Sequence, residues 1–541
     1  MKKNLAFIIK ANQDFVRHTS ADIKYTKPIL NGLFESISKV YLPLLDMLES
    51  FSREKLNVKI GLVLPPILCS LLTDEEIKNL YLSWLDERNQ LGKEELIRNK
   101  DNEKVTKIIE EEIERNLYLK NIFENTYKKD LIGAFSHFVK NEYVELIGTF
   151  GTDIFIPHYA DMKEIISAQV ESGLHSYRQY FDNLPDGFWL PEFGYTPGAE
   201  KLIKAYGYSY TILDARSLLL SEKLPSKGIF YPVRAENSLV FFANDPDCYD
   251  DVFSEESGFV SSKQYRNENR DIGFELEDSA LSSVMGDCET RFSTGFKYWN
   301  RDFENENSPE GYYSACEAKN LAKSHGKQFI AKRAELLKKA SLLLEDSDAD
   351  FVELVCAFTS DDLKSWNESM IWLEALLREA CQNSELDLNL TFCKNMIEKQ
   401  YELEKITPYF SAGNSSSSSS GYGEKFLSNK NSWMMRYVRK ACERIVDLAD
   451  RFPNDTGLKT RLLNLGAKEL MLAQSLNLPK MIDDENYADY AIKRFKDSIE
   501  VFTIVFDSLG SNTVSTEWLT TLEVRDDFFP WMNYRIFSKK K

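Results

Sequence analysis

The residue with the strongest claim to chemistry is Glu192. It sits within Gly187-Phe188-Trp189-Leu190-Pro191-Glu192-Phe193-Gly194-Tyr195. Phe188–Leu190 is a short apolar run with strand character, Pro191 ends it, and a carboxylate follows at once. The segment from Thr196 to Gly207 then reads as a helix, with Pro197 near its start. A strand that delivers one acid among Phe, Trp and Tyr, then turns into a helix, is how barrel enzymes present a catalytic group. A helix N-terminus also favours negative charge for simple electrostatic reasons. Alone, therefore, Glu192 points to a site without naming its reaction.

The elements around it alternate. Strands are expected at Leu5–Ala11, Lys59–Leu64, Tyr143–Phe150, Gly187–Leu190, Tyr208–Asp214, Gly228–Val233, Leu239–Asn244 and Asp350–Phe358. Several are near-continuous apolar runs, as in parallel strands covered by helices on both faces. Helical patterns lie between them at Pro28–Glu49, Asp74–Glu87 and Asp161–Tyr180, the second opening on a capping box of Thr73 and Glu76. This is an α/β pattern, and the number of strands favours a barrel or a large doubly wound sheet. Residues Glu87 to Lys129 are charged and helix-prone, and read as a helical insertion with a solvated face. Asp245 to Arg301 is polar and acidic, and a loop of that length suggests a cover over a site. Helical patterns take over at Leu386–Lys405, Ser432–Arg451, Thr456–Ser475 and Asn486–Ser508. Six consecutive serines, 415–420, interrupt them and read as a flexible loop.

Composition narrows the partners. A net charge of −18 disfavours nucleic acid and leaves a neutral ligand easier to accommodate. Aromatic residues make up 13% of the chain, mostly to fill its core, although such rings also suit stacking on sugars. The eight cysteines form no CxxC pair, which points to reduced thiols in a cytoplasmic protein. The apolar run at Leu5–Ile9 is cut by Lys10, too early for a signal peptide, and no stretch approaches a membrane span. Of the five histidines, none forms HxH, HxxxH or HExxH, so neither metal nor cofactor is expected.

Read with its flanks, the Glu192 segment resembles the third conserved region of glycoside hydrolase family 57, and within it the α-1,4-glucan branching enzymes. There Trp-Leu-Pro-Glu carries the nucleophile. Phe7 to Arg17 stands where that family has a strand followed by His-x-His, and Val144 to Pro157 is similar to its second region. Tyr265 to Phe274 and Thr294 to Trp299 resemble its substrate loop. Ala467 to Ser475 and Glu523 to Asp526 resemble its helical domain. The resemblance implies an incomplete (β/α)7 barrel over residues 1–384, with a helical insertion at about 74–130 and a substrate loop at about 245–301. An all-helical C-terminal domain would occupy 385–541. It also implies a retaining mechanism on an α-glucan such as glycogen, starch or a maltooligosaccharide. Glu192 would be the nucleophile, opposed by a second carboxyl about 5–5.5 Å away. Substrate contacts would fall to Arg266, Arg270, Gly295, Trp189, Phe193, Asp153, Phe426 and Asn477.

Departures from the family pattern fall on the chemistry. The family's acid is an Asp at a position that here is Ser360, in Phe358-Thr359-Ser360-Asp361-Asp362-Leu363. Lys10 and Asn12 replace its two histidines, Asp153 replaces a third, and Leu476-Asn477-Leu478 replaces Ser-Asp-Trp. A serine cannot act as a carboxylic acid at neutral pH, and losing a general acid removes about 10²–10⁴ in rate. Strand alternation places Asp362 on the face of Ser360 and Asp361 opposite, unless a bulge brings Asp361 in. Either could substitute, or both could simply cap the next helix. The activities open at this point are a weakened glucan-acting enzyme, a glucan-binding protein without turnover, and a structural or regulatory protein with no sugar ligand.

Overall fold

The first strand sets the architecture. In β1 (Lys2–Lys10) Leu5, Phe7 and Ile9 pack into the layer of surrounding helices, while Ala6 and Ile8 face a second apolar cluster inside the sheet. Because side chains alternate along a strand, an unbroken apolar run serves both faces. β1 lies between β2 (Ile60–Val63) and β7 (Phe351–Thr359), pairing with β7 along its whole length from Lys2↔Phe351 to Lys10↔Thr359. The ring continues through β3 (Val144–Gly148), β4 (Gly187–Phe188), β5 (Tyr210–Asp214) and β6 (Val240–Asn244). All seven neighbouring pairs are parallel, so the strands close a barrel one strand short of the (β/α)8 form. The closure is thinnest between β6 and β7, which share the single pair Asn244↔Val355.

The computed structural model describes the chain except residues 14, 17–22, 183, 287, 289, 303–310, 411–421, 512, 514 and 540–541. The serine tract 415–420 lies outside the described residues. Three local expectations change. Gly228–Val233 forms a strand only at Val233–Arg234, antiparallel to β6, because Gly228 turns the chain at φ 61° and Phe230 O accepts from Glu353 N across the barrel wall. The helix Glu75–Arg98 is capped by Asp74, which accepts from the backbone of Glu76 and Ile77. Thr73 instead donates back into the preceding helix, Pro66–Thr73. Leu386–Lys405 is not a helix. Its Asn389–Leu390 adds to β1, and Arg234 N donates to Glu404 O while Ile406 N donates to Arg234 O. Sheet pairing holds this stretch extended against the barrel, and the chain stays on the barrel beyond residue 384.

The insertion consists of Glu75–Arg98 and Glu103–Asn121, followed by Leu131–Lys140. A 29-residue helix, Ala315–Leu343, leads into β7. Past residue 430 the chain is helical, with Trp433–Arg451, Leu458–Ala473 and Ala488–Ser511 as its main elements. This helical part sits on the rim of the barrel. Thr152 Oγ1 donates to Met471 O at 2.8 Å, Gln169 Nε2 to Gln474 Oε1 at 2.7 Å, and Leu476 N to Asp153 O at 2.7 Å. No described helix is long and apolar enough to cross a membrane.

Candidate active site

Glu192 stands just beyond β4, at the end of the barrel from which the parallel strands emerge. Trp189 N donates to Gly148 O at 2.7 Å, holding the chain to β3, and Pro191–Phe193 forms a single tight turn. Within that turn Glu192 (φ 53°) and Phe193 (φ 51°) are both left-handed. For residues with a Cβ this costs about 1–3 kcal/mol each, and such strain collects at functional sites. Phe193 N to Leu190 O and Gly194 N to Pro191 O, at 2.9 and 3.0 Å, hold the turn shut. Trp189 and Phe193 are buried with ring centroids 4.9 Å apart, in the barrel's inner cluster beside Ile147, Tyr210 and Phe242. They therefore wall the inside of the barrel beside Glu192. The Glu192 side chain remains 18% exposed, and Lys480 Nζ lies 4.0 Å from its carboxylate.

At the end of β7 the strand stops at Thr359 and a helix begins at Ser360, so strand alternation no longer applies. Ser360 is buried, accepting from Asn12 N at 2.9 Å and Tyr41 Oη at 3.4 Å. Asp361 turns toward the same group of residues: Asn12 Nδ2 donates to it at 2.7 Å and Lys364 Nζ at 3.0 Å. Burial pushes the Asp361 carboxyl up, but Lys364, Lys480 and the Asn12 amide outweigh it and hold it well below the usual carboxylate range. Asp362 forms a capping box. Thr359 N and Oγ1 donate to its carboxylate at 3.0 and 2.7 Å, and its own N–H donates to Thr359 Oγ1. Burial pushes Asp362 to about 6, against the Thr359 bonds. One carboxyl thus keeps its proton only up to about pH 6 and is engaged in a cap. The other faces the open cleft but stays ionised.

Lys10 and Asp153, where the resemblance leads one to expect histidines, are complementary. Lys10 and Asp153 form an ion pair with side chains 8% and 7% exposed, and Lys10 Nζ also donates to Asn12 Oδ1 at 3.1 Å. A lysine buried on β1 is satisfied by an aspartate from the loop after β3, which is the condition for burying either charge. Asn12 also exchanges hydrogen bonds of 3.3–3.4 Å with Asn477 of the helical part. Asn12, Asp361, Lys364, Asn477 and Lys480 line a cleft of about 460 Å³, with Glu35 and Tyr487 on its other sides. Phe426 is buried against Phe155 and Leu476, beneath the rim.

The long loop is organised by Asp271, a residue not singled out from sequence. Its carboxylate is fully buried and accepts from Gly273 N, Thr294 N and Oγ1, Ser293 Oγ and Gly295 N. Gly295 takes φ 90°, which a Cβ would strain. Arg266 is buried, with its guanidinium 4.4 Å from the Tyr313 ring and 3.4 Å from Glu112 of the insertion. Arg270 pairs with Glu275 and lies 6.0 Å over Trp299. The local pattern Asp271-Ile272-Gly273 was legible as a helix cap; the return of residues 293–295 to the same carboxylate was not.

One group among the described residues has metal-ligand geometry: ligand atoms of Asp245, Cys248 and Cys356, all buried, lie within 4.8 Å of one another. Its hydrogen bonds are already made. Arg333 Nε donates to Asp245 at 3.0 Å, the Cys356 thiol lies 3.7 Å from the same carboxylate, and Cys248 contacts Asn244. Burial pushes the Cys356 thiol up, and a guanidinium fills the place where a cation would add charge. The group ties the thin seam between β6 and β7 to the helix Ala315–Leu343.

A parallel barrel with an acid on a strained turn at its C-terminal rim, beside buried aromatics, is the arrangement of a barrel enzyme. Residues 6–408 match the family model described as glycosyl hydrolase family 57, and the chain belongs to that family. Residues 437–537 match the model for the C-terminal region of 1,4-alpha-glucan branching enzymes. A 1,4-alpha-glucan branching enzyme of Thermococcus kodakarensis is 23% identical over 537 residues, covering 91% of this chain and 72% of that protein. Among solved structures, the alpha-amylase AmyC of Thermotoga maritima superposes with a TM-score of 0.88 at 23% identity, covering 100% of both chains. The branching enzyme of Pyrococcus horikoshii gives 0.85 at 20% identity, covering 100% of this chain and 98% of that one. At such identities these likenesses establish the fold.

Proposed function

We propose that the protein acts on α-1,4-glucan by a retaining mechanism, with Glu192 attacking the anomeric carbon to form a glucosyl ester. The observation that carries this reading is the strained, partly exposed Glu192 at the barrel rim, in the family's Trp-Leu-Pro-Glu frame. Water would then release a shortened chain, or the 6-hydroxyl of another glucan would form a branch. Turnover is slow in this reading, because Ser360 holds the acid's place, Asp361 stays ionised and Asp362 is a cap. Residues 1–384 hold the nucleophile and the loop, and 385–541 supply Asn477 and Lys480 to the cleft and Phe426 to the packing beneath its rim. Arg266, Arg270 and Gly295 act by shaping the loop over the glucan. The eight cysteines, with no CxxC pair, suit a cytoplasmic location, where glycogen or a maltooligosaccharide is the substrate and neither nucleic acid nor a membrane is a partner.

The test is purified protein with amylose, followed for new reducing ends and for α-1,6 linkages. Product from the wild type and none from Glu192→Gln supports the reading. Equal activity in Glu192→Gln sinks the nucleophile assignment. A second reading, favoured by Ser360 and by the Lys10–Asp153 pair, is a glucan-binding protein without turnover. It requires measurable affinity for amylose with no product from either form.

A further inference from the structure

A lysine from the helical part stands at Glu192. Lys480 lies on the helix Asn477–Asp483, whose backbone is anchored to its surroundings from several sides. Leu476 N donates to Asp153 O, Asn477 bonds Asn12, and the buried Asn431 donates to Pro479 O at 2.9 Å. From this fixed base the side chain extends to the site, its ammonium 4.0 Å from Glu192. It lines the same cleft as Asp361 and Asp484, and Asp484 is itself bonded to Lys425. Glu192 is the leading influence on Lys480 and raises it; burial opposes, but Glu192 with Asp361 and Asp362 outweighs burial and holds the ammonium charged far above neutral pH. Lys480 is therefore a fixed positive charge, not a proton donor.

We infer that Lys480 is a positioning residue that acts through Glu192, stabilising it as a departing carboxylate and so setting the rate at which the glucosyl ester breaks down; this rests on the proposed role of Glu192. At 4.0 Å the ammonium lies beyond ordinary hydrogen-bond reach, so the carboxylate keeps its lone pairs for attack. In the first step a Glu192 oxygen bonds to C1, and the leaving group departs with the electron pair of its bond to C1. In the second step the oxygen of water or of a glucan hydroxyl bonds to C1 and gives its proton to solvent, while Glu192 leaves with the electron pair of the ester bond. A nearby cation lowers the energy of the carboxylate that forms, because charge develops where the cation already sits. The same charge makes Glu192 a weaker nucleophile, so its loss accelerates ester formation relative to breakdown and lets the ester accumulate.

The probe is α-maltosyl fluoride, whose fluoride departs without protonation and so bypasses the missing acid. Wild type, Lys480→Met and Lys480→Arg are mixed with it, quenched and weighed as intact proteins, and the adduct is mapped by peptide. The side chain is 35% exposed, so melting temperatures are expected to match. The expected result is an ester on Glu192 in all three, broken down at least about tenfold more slowly in Lys480→Met and restored in Lys480→Arg. Equal breakdown in wild type and Lys480→Met overturns the inference while leaving the Glu192 reading intact. Slowing that Arg does not restore also overturns it, since a charge effect survives that change. No ester on Glu192 in the wild type overturns both.

Discussion

At the scale of single residues the site is defined by what each carboxyl is free to do. Glu192 is strained and partly exposed, Asp361 is held ionised by Lys364 and Lys480, and Asp362 is spent on Thr359. A donor with an acidic leaving group should therefore separate the intact half of the chemistry from the missing half. The rate of fluoride release from α-maltosyl fluoride is expected to exceed turnover on amylose by about 10²-fold or more, the usual contribution of a general acid. Comparable rates on both donors would mean that some other group already supplies the proton. Ser360→Asp restores a carboxyl at the family's acid position. It is expected to raise activity on amylose about tenfold or more while leaving fluoride release nearly unchanged, read by reducing-end assay. The gain is bounded because Ser360 Oγ is buried against Asn12 N and Tyr41 Oη, and a carboxyl must turn out of that contact.

At the scale of elements, buried charges are compensated across the barrel. Lys10 on β1 and Asp153 after β3 are each a buried charge alone and a compensated one together. Lys10→Met is expected to cost about 3–5 kcal/mol in urea unfolding, because it strands Asp153. Lys10→Met with Asp153→Leu is expected to cost less than Lys10→Met alone. The loop depends on Asp271 in the same way. Asp271→Ala leaves the buried N–H groups of Thr294 and Gly273 without an acceptor and is expected to lower stability by about 3 kcal/mol. It should also weaken binding of maltooligosaccharide, measured by calorimetry, since residues 293–295 would no longer be held. Unaltered affinity would show that this loop does not touch the glucan.

At the scale of the whole molecule the barrel interior carries a pH-dependent cost. Glu145 on β3 accepts from Tyr210 Oη at 2.7 Å, yet burial pushes its carboxyl from 4.5 to about 7. Burial drives Glu353 on β7 in the same direction, and neither of its carboxyl oxygens has a hydrogen-bond partner among the described residues. A raised carboxyl in the folded state means that folding retains a proton the unfolded chain releases. The Glu145 contribution is therefore fully present below pH 4.5, declines as pH rises, and is lost above about 7, a span worth about 3 kcal/mol. Glu145→Gln is expected to raise the melting temperature at pH 8 and to change it little at pH 4.5. An equal effect at both pH values would show that ionisation is not the cause.

How much of this was legible in the sequence depended on the range of the interaction. Six of the seven barrel strands are longer runs whose apolar pattern is dictated by burial on both faces, and Trp-Leu-Pro-Glu marked its own position because a proline and an acid after a strand are local signals. The Leu386–Lys405 segment was misread for the opposite reason: its apolar spacing suits a helix, but pairing with β1 and Arg234 decides otherwise. The alternation expected for Asp361 and Asp362 failed where a capping box ended the strand one residue before Ser360. By itself the sequence determined the family, the barrel and the place of Glu192 at the end of a strand, since these rest on local pattern and on the number of elements. Only the tertiary structure decided that Lys10 answers Asp153, that Asp271 gathers a loop from both ends, and that Lys480 reaches Glu192. The partners in these pairs stand 143, 22–24 and 288 positions apart. Charge compensation at such separations leaves no periodic trace in a chain, because it is created only when folding brings the two ends of each interaction together.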